Sequence, residues 1–127
     1  MNILLDTHTL AWYLNGESIL SEKVKSAIES ESNTTFVSIV SIWEVAIKMS
    51  LNKFKFPGGL NKFLKLIDEN GFEILPVTLK PVLIVAELEY IHRDPFDRIL
   101  ISQCIAESLV FATKDQIISK YNVITLW

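Results

Sequence analysis

Short apolar segments alternate with longer amphipathic segments along the whole chain, and this alternation is what most constrains its fold. The apolar segments predict β-strands over 2–6, 34–38, 72–77, 110–113 and 123–127. Between them, apolar residues recur with helical spacing over 7–15, 21–32, 41–53, 60–71, 80–91 and 94–109, and a short helix is predicted over 114–121. Strands joined by helices pair in parallel, because a parallel pair needs a long crossover connection. We therefore predict an α/β fold with a central parallel β-sheet flanked by α-helices on both faces.

The length of 127 residues fits one domain that spans 1–127, and half of the residues are hydrophobic, which is enough for a buried core. The one cysteine, Cys104, excludes a disulfide within the chain and predicts a reducing compartment. The chain meets Asp6 too early for a secretory signal, and charged residues interrupt every apolar run that approaches the length of a membrane span. We expect a soluble, cytoplasmic protein with no membrane partner.

The net charge of −3 and the pI of about 5.3 bear on the partners of the protein. A domain that holds nucleic acid by charge alone is usually basic. The bulk charge therefore disfavours a nucleic-acid partner unless the protein recruits cations locally.

Four acidic residues stand at predicted strand ends or helix starts. Asp6 ends the first strand, and Glu44 lies in the first turn of the helix predicted after the second strand. Asp97 lies in the first turn of the helix opened by "DPFD", and Asp115 comes two residues after the strand "VFAT". In a parallel α/β sheet these positions share one edge, which is where ligands bind. We therefore expect the four carboxylates to converge.

Converging carboxylates need a neutralising partner. Two like charges about 4 Å apart repel by about 4 kcal/mol at an effective dielectric of 20. A helix N-terminus offsets only about 0.3–1 kcal/mol of this repulsion. Either some of the carboxylates take up protons or a cation neutralises them, and oxygen ligands with little histidine or cysteine nearby favour Mg²⁺ or Mn²⁺. Such a site is typical of phosphodiester hydrolysis, and its cations would answer the charge problem with nucleic acid.

Each acid taken alone also has a structural interpretation. Asp6 and Asp115 fit the starts of the helices that follow them. Glu44 fits a capping box with Ser41. Asp97 in a first helical turn favours the helix dipole. Only their shared edge favours the metal site over these alternatives.

The neighbours of these acids leave further alternatives open. Asp94 is best explained as an N-cap with Pro95 at the first helical position, which leaves Asp97 free to face the crevice. Arg98 either orients a carboxylate or contacts phosphate, or it forms an ordinary surface ion pair.

Two threonines and two histidines complete the candidates at this edge. Thr7 and Thr113 either help to hold a water at the metal or bond to the local backbone. His8 and His92 are too few and too far apart in the chain to predict a zinc site.

Four segments together resemble a PIN-domain protein of the VapC toxin type, in the subgroup that opens Leu-Leu-Asp-Thr-His. They are "LLDTHTLAWYL" at 4–14, "SIWEVAIK" at 41–48, "HRDPFDRILISQ" at 92–103 and "FATKD" at 111–115. The resemblance covers essentially the whole chain, with the segments in the family's order. Each acid alone is a weak signal, but the combination is specific.

The resemblance implies a Mg²⁺- or Mn²⁺-dependent ribonuclease that forms a homodimer and is inhibited by a small antitoxin encoded beside it. By family position, the acidic site is Asp6, Glu44, Asp97 and Asp115. One departure concerns Asp115, since the family often has a phenylalanine or tyrosine at a set distance after "TKD", where this chain continues "QIISKY". We therefore rank Asp115 below the other three acids.

Two other classes of function stay open on the sequence. A receiver-like signalling domain would have an acidic Mg²⁺ pocket, but it needs adjacent acids after the first strand, where "LLDTHT" offers one, and a late lysine, for which Lys114 is a loose candidate. A binding module would keep the PIN fold without turnover, and the presence of all four acids disfavours it.

Overall fold

The computed structural model describes all 127 residues, as five strands, six α-helices and one 3₁₀ helix. In chain order these are β1 (Asn2–Leu5), α1 (Thr7–Leu14), α2 (Glu22–Glu29), β2 (Thr34–Ser38), α3 (Ile39–Ser50), α4 (Gly59–Glu69), β3 (Glu73–Leu75), α5 (Leu79–Glu87), α6 (Pro95–Glu107), β4 (Val110–Ala112), the 3₁₀ helix (Gln116–Lys120) and β5 (Ile124–Leu126). None of the helices has the length and apolar character of a membrane-spanning segment.

The strands form one parallel sheet in the order β3-β2-β1-β4-β5. Ile3 in the central strand β1 pairs with Thr35 of β2 on one side and with Val110 of β4 on the other. The chain builds outward from β1 to β3 and then returns to place β4 on the opposite side of β1. The switch in direction therefore lies between β1 and β4, and in open α/β sheets the ligand crevice forms at such a point.

Helices cover both faces of this sheet, as the sequence predicts. Successive residues of a strand point to opposite faces, so Ile3 and Leu5 enter one core while Leu4 enters the other. The first core receives residues such as Phe63 of α4, and the second receives residues such as Leu100 of α6. The predicted α/β architecture is confirmed.

Several predicted boundaries differ from the structure, such as that of the helix predicted over 80–91, which ends at Glu87, and the one at the start of α3 changes the surroundings of Glu44. The sequence predicts a helix that starts at Ser41 with a capping box to Glu44, but α3 starts at Ile39 with Ser38 as its N-cap. The Ser38 hydroxyl accepts a hydrogen bond from the Val40 N–H at 3.1 Å, so Ser38 ends β2 and caps α3 at once. Glu44 consequently lies in the second turn of α3, and Ser41 is not its cap.

Candidate active site

Asp6 follows β1 directly and is the N-cap of α1. Its Oδ1 accepts a hydrogen bond from the His8 backbone N–H at 2.9 Å, and its Oδ2 accepts one from the Thr113 hydroxyl at 2.7 Å. Burial raises the pKa of Asp6, but the hydrogen bonds from His8 and Thr113 outweigh burial and hold the pKa below its ordinary value. Asp6 is therefore a fixed negative charge at the carboxyl end of the central strand.

Asp97 is the third residue of α6, and Asp94 caps that helix as predicted. The Asp94 carboxylate accepts hydrogen bonds from the backbone N–H groups of Phe96 at 2.8 Å and Asp97 at 3.4 Å, so the Asp97 carboxylate is not needed to cap the helix. Burial, followed by the charges of Asp6 and Asp94, raises the pKa of Asp97 to about 7. At neutral pH the Asp97 carboxyl therefore holds a proton for a large part of the time.

Asp115 is the N-cap of the 3₁₀ helix that follows β4. Its Oδ1 accepts a hydrogen bond from the Ile117 N–H at 3.0 Å, and its Oδ2 lies 2.8 Å from Nε2 of His92. The Asp115 N–H donates to the Thr113 hydroxyl at 3.1 Å, and the same hydroxyl donates to Asp6. Thr113 thus links two of the predicted acids through one oxygen.

The three acids face a common cavity of about 450 Å³ at the point where β1 and β4 end. Its walls are formed by Asp6, His8, Trp12, Asp97, Lys114 and Asp115. The carboxylate oxygens of Asp97 and Asp115 and a ring nitrogen of His92 all lie within 4.8 Å of one another. The structure therefore brings Asp6, Asp97 and Asp115 together at the predicted edge.

Glu44 lies beside this cavity and is not part of its wall. It is buried on α3, and its Oε2 is 2.8 Å from Nζ of Lys48, one helical turn later. Its negative charge is among the causes that raise the pKa of Asp97, after burial and the charges of Asp6 and Asp94. Glu44 thus affects the site through its negative charge, which helps to raise the pKa of Asp97. Its carboxylate forms an ion pair with Lys48.

Two further candidates have contacts other than those expected. Thr7 is buried, and its hydroxyl donates to the Ser41 hydroxyl at 2.9 Å, which joins α1 to α3. The interpretation of Arg98 as a surface ion pair is wrong, because its side chain is buried and its guanidinium donates to four backbone carbonyls at 3.1–3.4 Å. They are those of Val85, Leu88, Glu89 and His92. Arg98 holds the connection between α5 and α6, and it contacts neither a carboxylate nor the cavity wall.

The donor set of the cavity fits a hard divalent cation. Three carboxylates supply oxygen ligands, and each carboxylate offers about four acceptor positions, so the hydrogen bonds already made to Asp6 leave positions for a metal. No cysteine lies in the wall, and carboxylates outnumber the two imidazoles near it, those of His8 and His92, which fits a hard cation better than a structural zinc site. Asp6, Asp97 and Asp115 are the residues that could hold Mg²⁺ or Mn²⁺.

Comparison with known families agrees with this arrangement. The model of the family described as PIN domain matches residues 3–124, which is nearly the whole chain. The chain belongs to the PIN domain family. The resemblance seen in the four sequence segments is thereby confirmed at the level of the family.

Solved structures share the PIN fold at low sequence identity. VapBC2 from Rickettsia felis, crystallised with a DNA fragment from its promoter, has 18% identity and a TM-score of 0.77, with 99% of this chain and 98% of that chain covered. VapBC-5 from Mycobacterium tuberculosis, a member of the VapBC family of toxin-antitoxin systems, has 14% identity and a TM-score of 0.61, with 98% of each chain covered. The PIN domain endonuclease Utp24 has 14% identity and a TM-score of 0.53, with 94% of this chain and 74% of that chain covered. A comparison with curated protein sequences finds no match.

His92 is the residue of this PIN domain that sequence reasoning missed. Its Nε2 lies 2.8 Å from Asp115 and 3.3 Å from Asp97, between the two carboxylates. The sequence analysis considered His92 only together with His8, as possible zinc ligands, and the two histidines were too few and too far apart in the chain for a zinc site. The usable signal is its place two residues before the N-cap Asp94, on the approach to the helix that carries Asp97.

Proposed function

We propose that this PIN domain is a metal-dependent endoribonuclease and the toxin of a VapBC-type toxin–antitoxin pair. The observation that carries the proposal is the convergence of Asp6, Asp97 and Asp115 on one cavity at the switch point of the sheet. Family membership supports hydrolysis of phosphodiester bonds, since Utp24 with the same fold is a PIN domain endonuclease. The fold shared with VapBC structures supports the toxin role and a cognate small antitoxin as partner, acting on RNA in the cytoplasm.

The acids of the cavity have different proposed roles, which follow from the shifts of their pKa values. A bound Mg²⁺ or Mn²⁺ supplies Lewis-acid polarisation of the scissile phosphate and lowers the pKa of a coordinated water. Asp6, whose pKa lies below its ordinary value, is the permanent anionic ligand, and the hydroxyl of Thr113 fixes its orientation. Asp97, whose pKa is raised by burial and then by the charges of Asp6 and Asp94, would hold the cation as a carboxylate, because a positive charge beside it would favour its ionised form. Asp115 would be the third ligand.

The remaining wall of the cavity suits a single-stranded nucleic acid. The His8 ring is exposed and lies 5.7 Å from the Trp12 ring between centroids, so an aromatic surface stands beside the acids. Stacking of a base on an aromatic side chain contributes about 1–3 kcal/mol, and Lys114 supplies a positive charge for a phosphate. These features support RNA as the substrate despite the net charge of −3.

An apolar groove that shares no wall residue with the cavity supports a homodimer. A groove of about 450 Å³ lies between α3 and the α5–α6 pair, and its walls contain no charged residue: they are Ile39, Val40, Trp43, Val77, Val82, Pro95 and Ile99. Trp43 is 59% exposed and Val82 is 48% exposed, and Ile39 and Val77 in the same groove are exposed as well, so the groove offers contiguous apolar surface to a partner. We assign this face to a second copy of the chain, because a two-fold interface brings the same patch together twice and an uncharged apolar patch meets its copy without opposing like charges.

The experiment that tests the activity is cleavage of a fluorophore–quencher single-stranded RNA with Mg²⁺ or Mn²⁺. Asp6→Asn and Asp97→Asn should each lower the rate at least about 100-fold, since an electrostatic contribution to the transition state of about 3 kcal/mol is lost. The matched control is Asp68→Asn, an exposed acid on α4, which should leave the rate unchanged. Unchanged cleavage in the two site variants would refute the nuclease site, and absence of cleavage by the wild-type protein with either cation would favour the binding module.

A further inference from the structure

His92 lies in the connection between α5 and α6, and its ring is almost enclosed. The side chain is 12% exposed, and its Nε2 is 2.8 Å from Oδ2 of Asp115 and 3.3 Å from Oδ2 of Asp97. One ring nitrogen thus lies close to two of the carboxylates that face the cavity.

The other ring nitrogen fixes the tautomer. The backbone N–H of Asp94 donates to Nδ1 of His92 at 3.2 Å. A ring nitrogen that accepts a hydrogen bond carries no proton, so the neutral imidazole carries its proton on Nε2. That N–H therefore donates to Oδ2 of Asp115, with Oδ2 of Asp97 3.3 Å from the same nitrogen, and Nε2 has no free lone pair for a metal ion.

The backbone of His92 is held from both sides, which fixes the place of the ring. The hydroxyl of the buried Tyr121 accepts hydrogen bonds from the N–H groups of His92 at 2.6 Å and Ile91 at 3.0 Å, and it donates to the Glu89 carbonyl at 2.8 Å. The guanidinium of Arg98 donates to the His92 carbonyl at 3.3 Å. The position of the ring is thus set by contacts that lie outside the cavity.

We propose that His92 is a positioning residue: its Nε2–H donates to Asp115 and lies against Asp97, it holds both carboxylates toward the cavity, and it does not ligate the cation. The proposal rests on the proposed function, because it takes the cavity as the metal site. Residues that orient ligands in this way typically change metal affinity by about 10–100-fold when they are replaced. Arg98 and Tyr121 then contribute to the site indirectly, through the position of His92.

The first test compares His92→Gln with His92→Met in the full chain, by calorimetric titration with Mn²⁺. The two side chains have similar length, but only glutamine offers an N–H donor where Nε2 stands. His92→Met should weaken Mn²⁺ binding about 10–100-fold, whereas His92→Gln should stay within a few-fold of wild type. Equal affinity of His92→Met and wild type, with both folded by circular dichroism, would overturn the proposal.

The second test does not depend on the variants. A long-range ¹H–¹⁵N spectrum of the wild-type protein should show the Nε2–H tautomer of His92 without metal, and the same tautomer after addition of Mg²⁺. The Nδ1–H tautomer, or loss of the Nε2 proton when Mg²⁺ is added, would make His92 a ligand and overturn the proposal.

Tyr121→Phe is the variant that leaves every group of the cavity in place. It should weaken Mn²⁺ binding by less than His92→Met, because only the backbone anchor of the ring is removed. If wild-type protein binds no Mn²⁺, the proposed function itself fails. If it binds Mn²⁺ and His92→Met binds equally well, only the role of His92 fails.

Discussion

Asp6 and Asp97 face the same cavity with opposite shifts of pKa. Hydrogen bonds from His8 and Thr113 outweigh burial at Asp6 and lower its pKa, whereas burial and neighbouring charges raise the pKa of Asp97 to about 7. Sites whose surroundings separate the pKa values of paired acids are typical of catalytic centres. The pair therefore carries one fixed charge and one exchangeable proton.

The raised pKa of Asp97 predicts a pH-dependent cost in stability. Folded Asp97 binds its proton more tightly than the unfolded chain does, so its contribution to the free energy of unfolding is full below about pH 4. This contribution is lost as the pH rises toward about 7. At 1.36 kcal/mol per pKa unit, the loss is at most about 4 kcal/mol. Asp97→Asn should therefore stabilise the metal-free protein at pH 8 and change little at pH 4.

Urea denaturation in the presence of EDTA measures this effect, with Asp68→Asn as the exposed control. The control should follow wild type at both pH values. If Asp97→Asn is no more stable than wild type at pH 8, ionisation of Asp97 has no cost in the folded protein, and its pKa is not raised.

At the residue scale, much of the site could be predicted because strand ends fix where side chains meet. Asp6, Asp97 and Asp115 converge as expected. For Asp115, capping does not exclude a place in the cavity wall, since Oδ1 caps the helix while Oδ2 contacts His92. His92 was not predictable, because its approach to the acids depends on a connection held by Tyr121 and Arg98.

At the scale of elements, the start of α3 shows where local sequence is insufficient. Ile39 and Val40 have the β-branched character of the strand before them, so propensity does not separate strand from helix there. The boundary is set instead by the Ser38 hydroxyl, which accepts from the Val40 N–H and also donates to Gln103 Oε1 of α6 at 2.6 Å. That second bond depends on tertiary packing, which the sequence does not reveal.

The contacts that Arg98 makes with the end of α5 and the connection to α6 also depend on tertiary packing. The sequence left Arg98 open between a carboxylate, a phosphate and a surface ion pair, yet its guanidinium donates to four partly buried backbone carbonyls. Arg98→Lys should lower the free energy of unfolding by at least about 2 kcal/mol, because an ammonium cannot reproduce the planar fork and leaves carbonyls without donors.

Urea denaturation of Arg98→Lys checks this, with the exposed neighbour Arg93→Lys as the matched control. The control should differ from wild type by less than about 0.5 kcal/mol. Equal stability of the two variants would contradict the structural role given to Arg98.

At the scale of the whole molecule, the two proposed surfaces have no wall residue in common. The acids lie where β1 and β4 end, and the apolar groove lies against α3, α5 and α6. Val82→Glu should convert a dimer to a monomer, because it places a charge in an interface that has none, and it should leave the secondary structure intact. Light scattering after size exclusion measures the mass, and the control is Glu87→Gln, an exposed residue at the end of α5. A wild-type protein that is monomeric at micromolar concentration would contradict the homodimer.

The central claim is that the cavity at the end of β1 and β4 holds a divalent cation through Asp6 and Asp97. The most direct test is the anomalous scattering of manganese from a crystal of the protein soaked in Mn²⁺. We predict a peak in this cavity with carboxylate oxygens of both residues at roughly 2.2 Å, between the distances usual for Mg²⁺ and Ca²⁺. A peak bound elsewhere, or an ordered cavity without a peak at millimolar Mn²⁺, would contradict it.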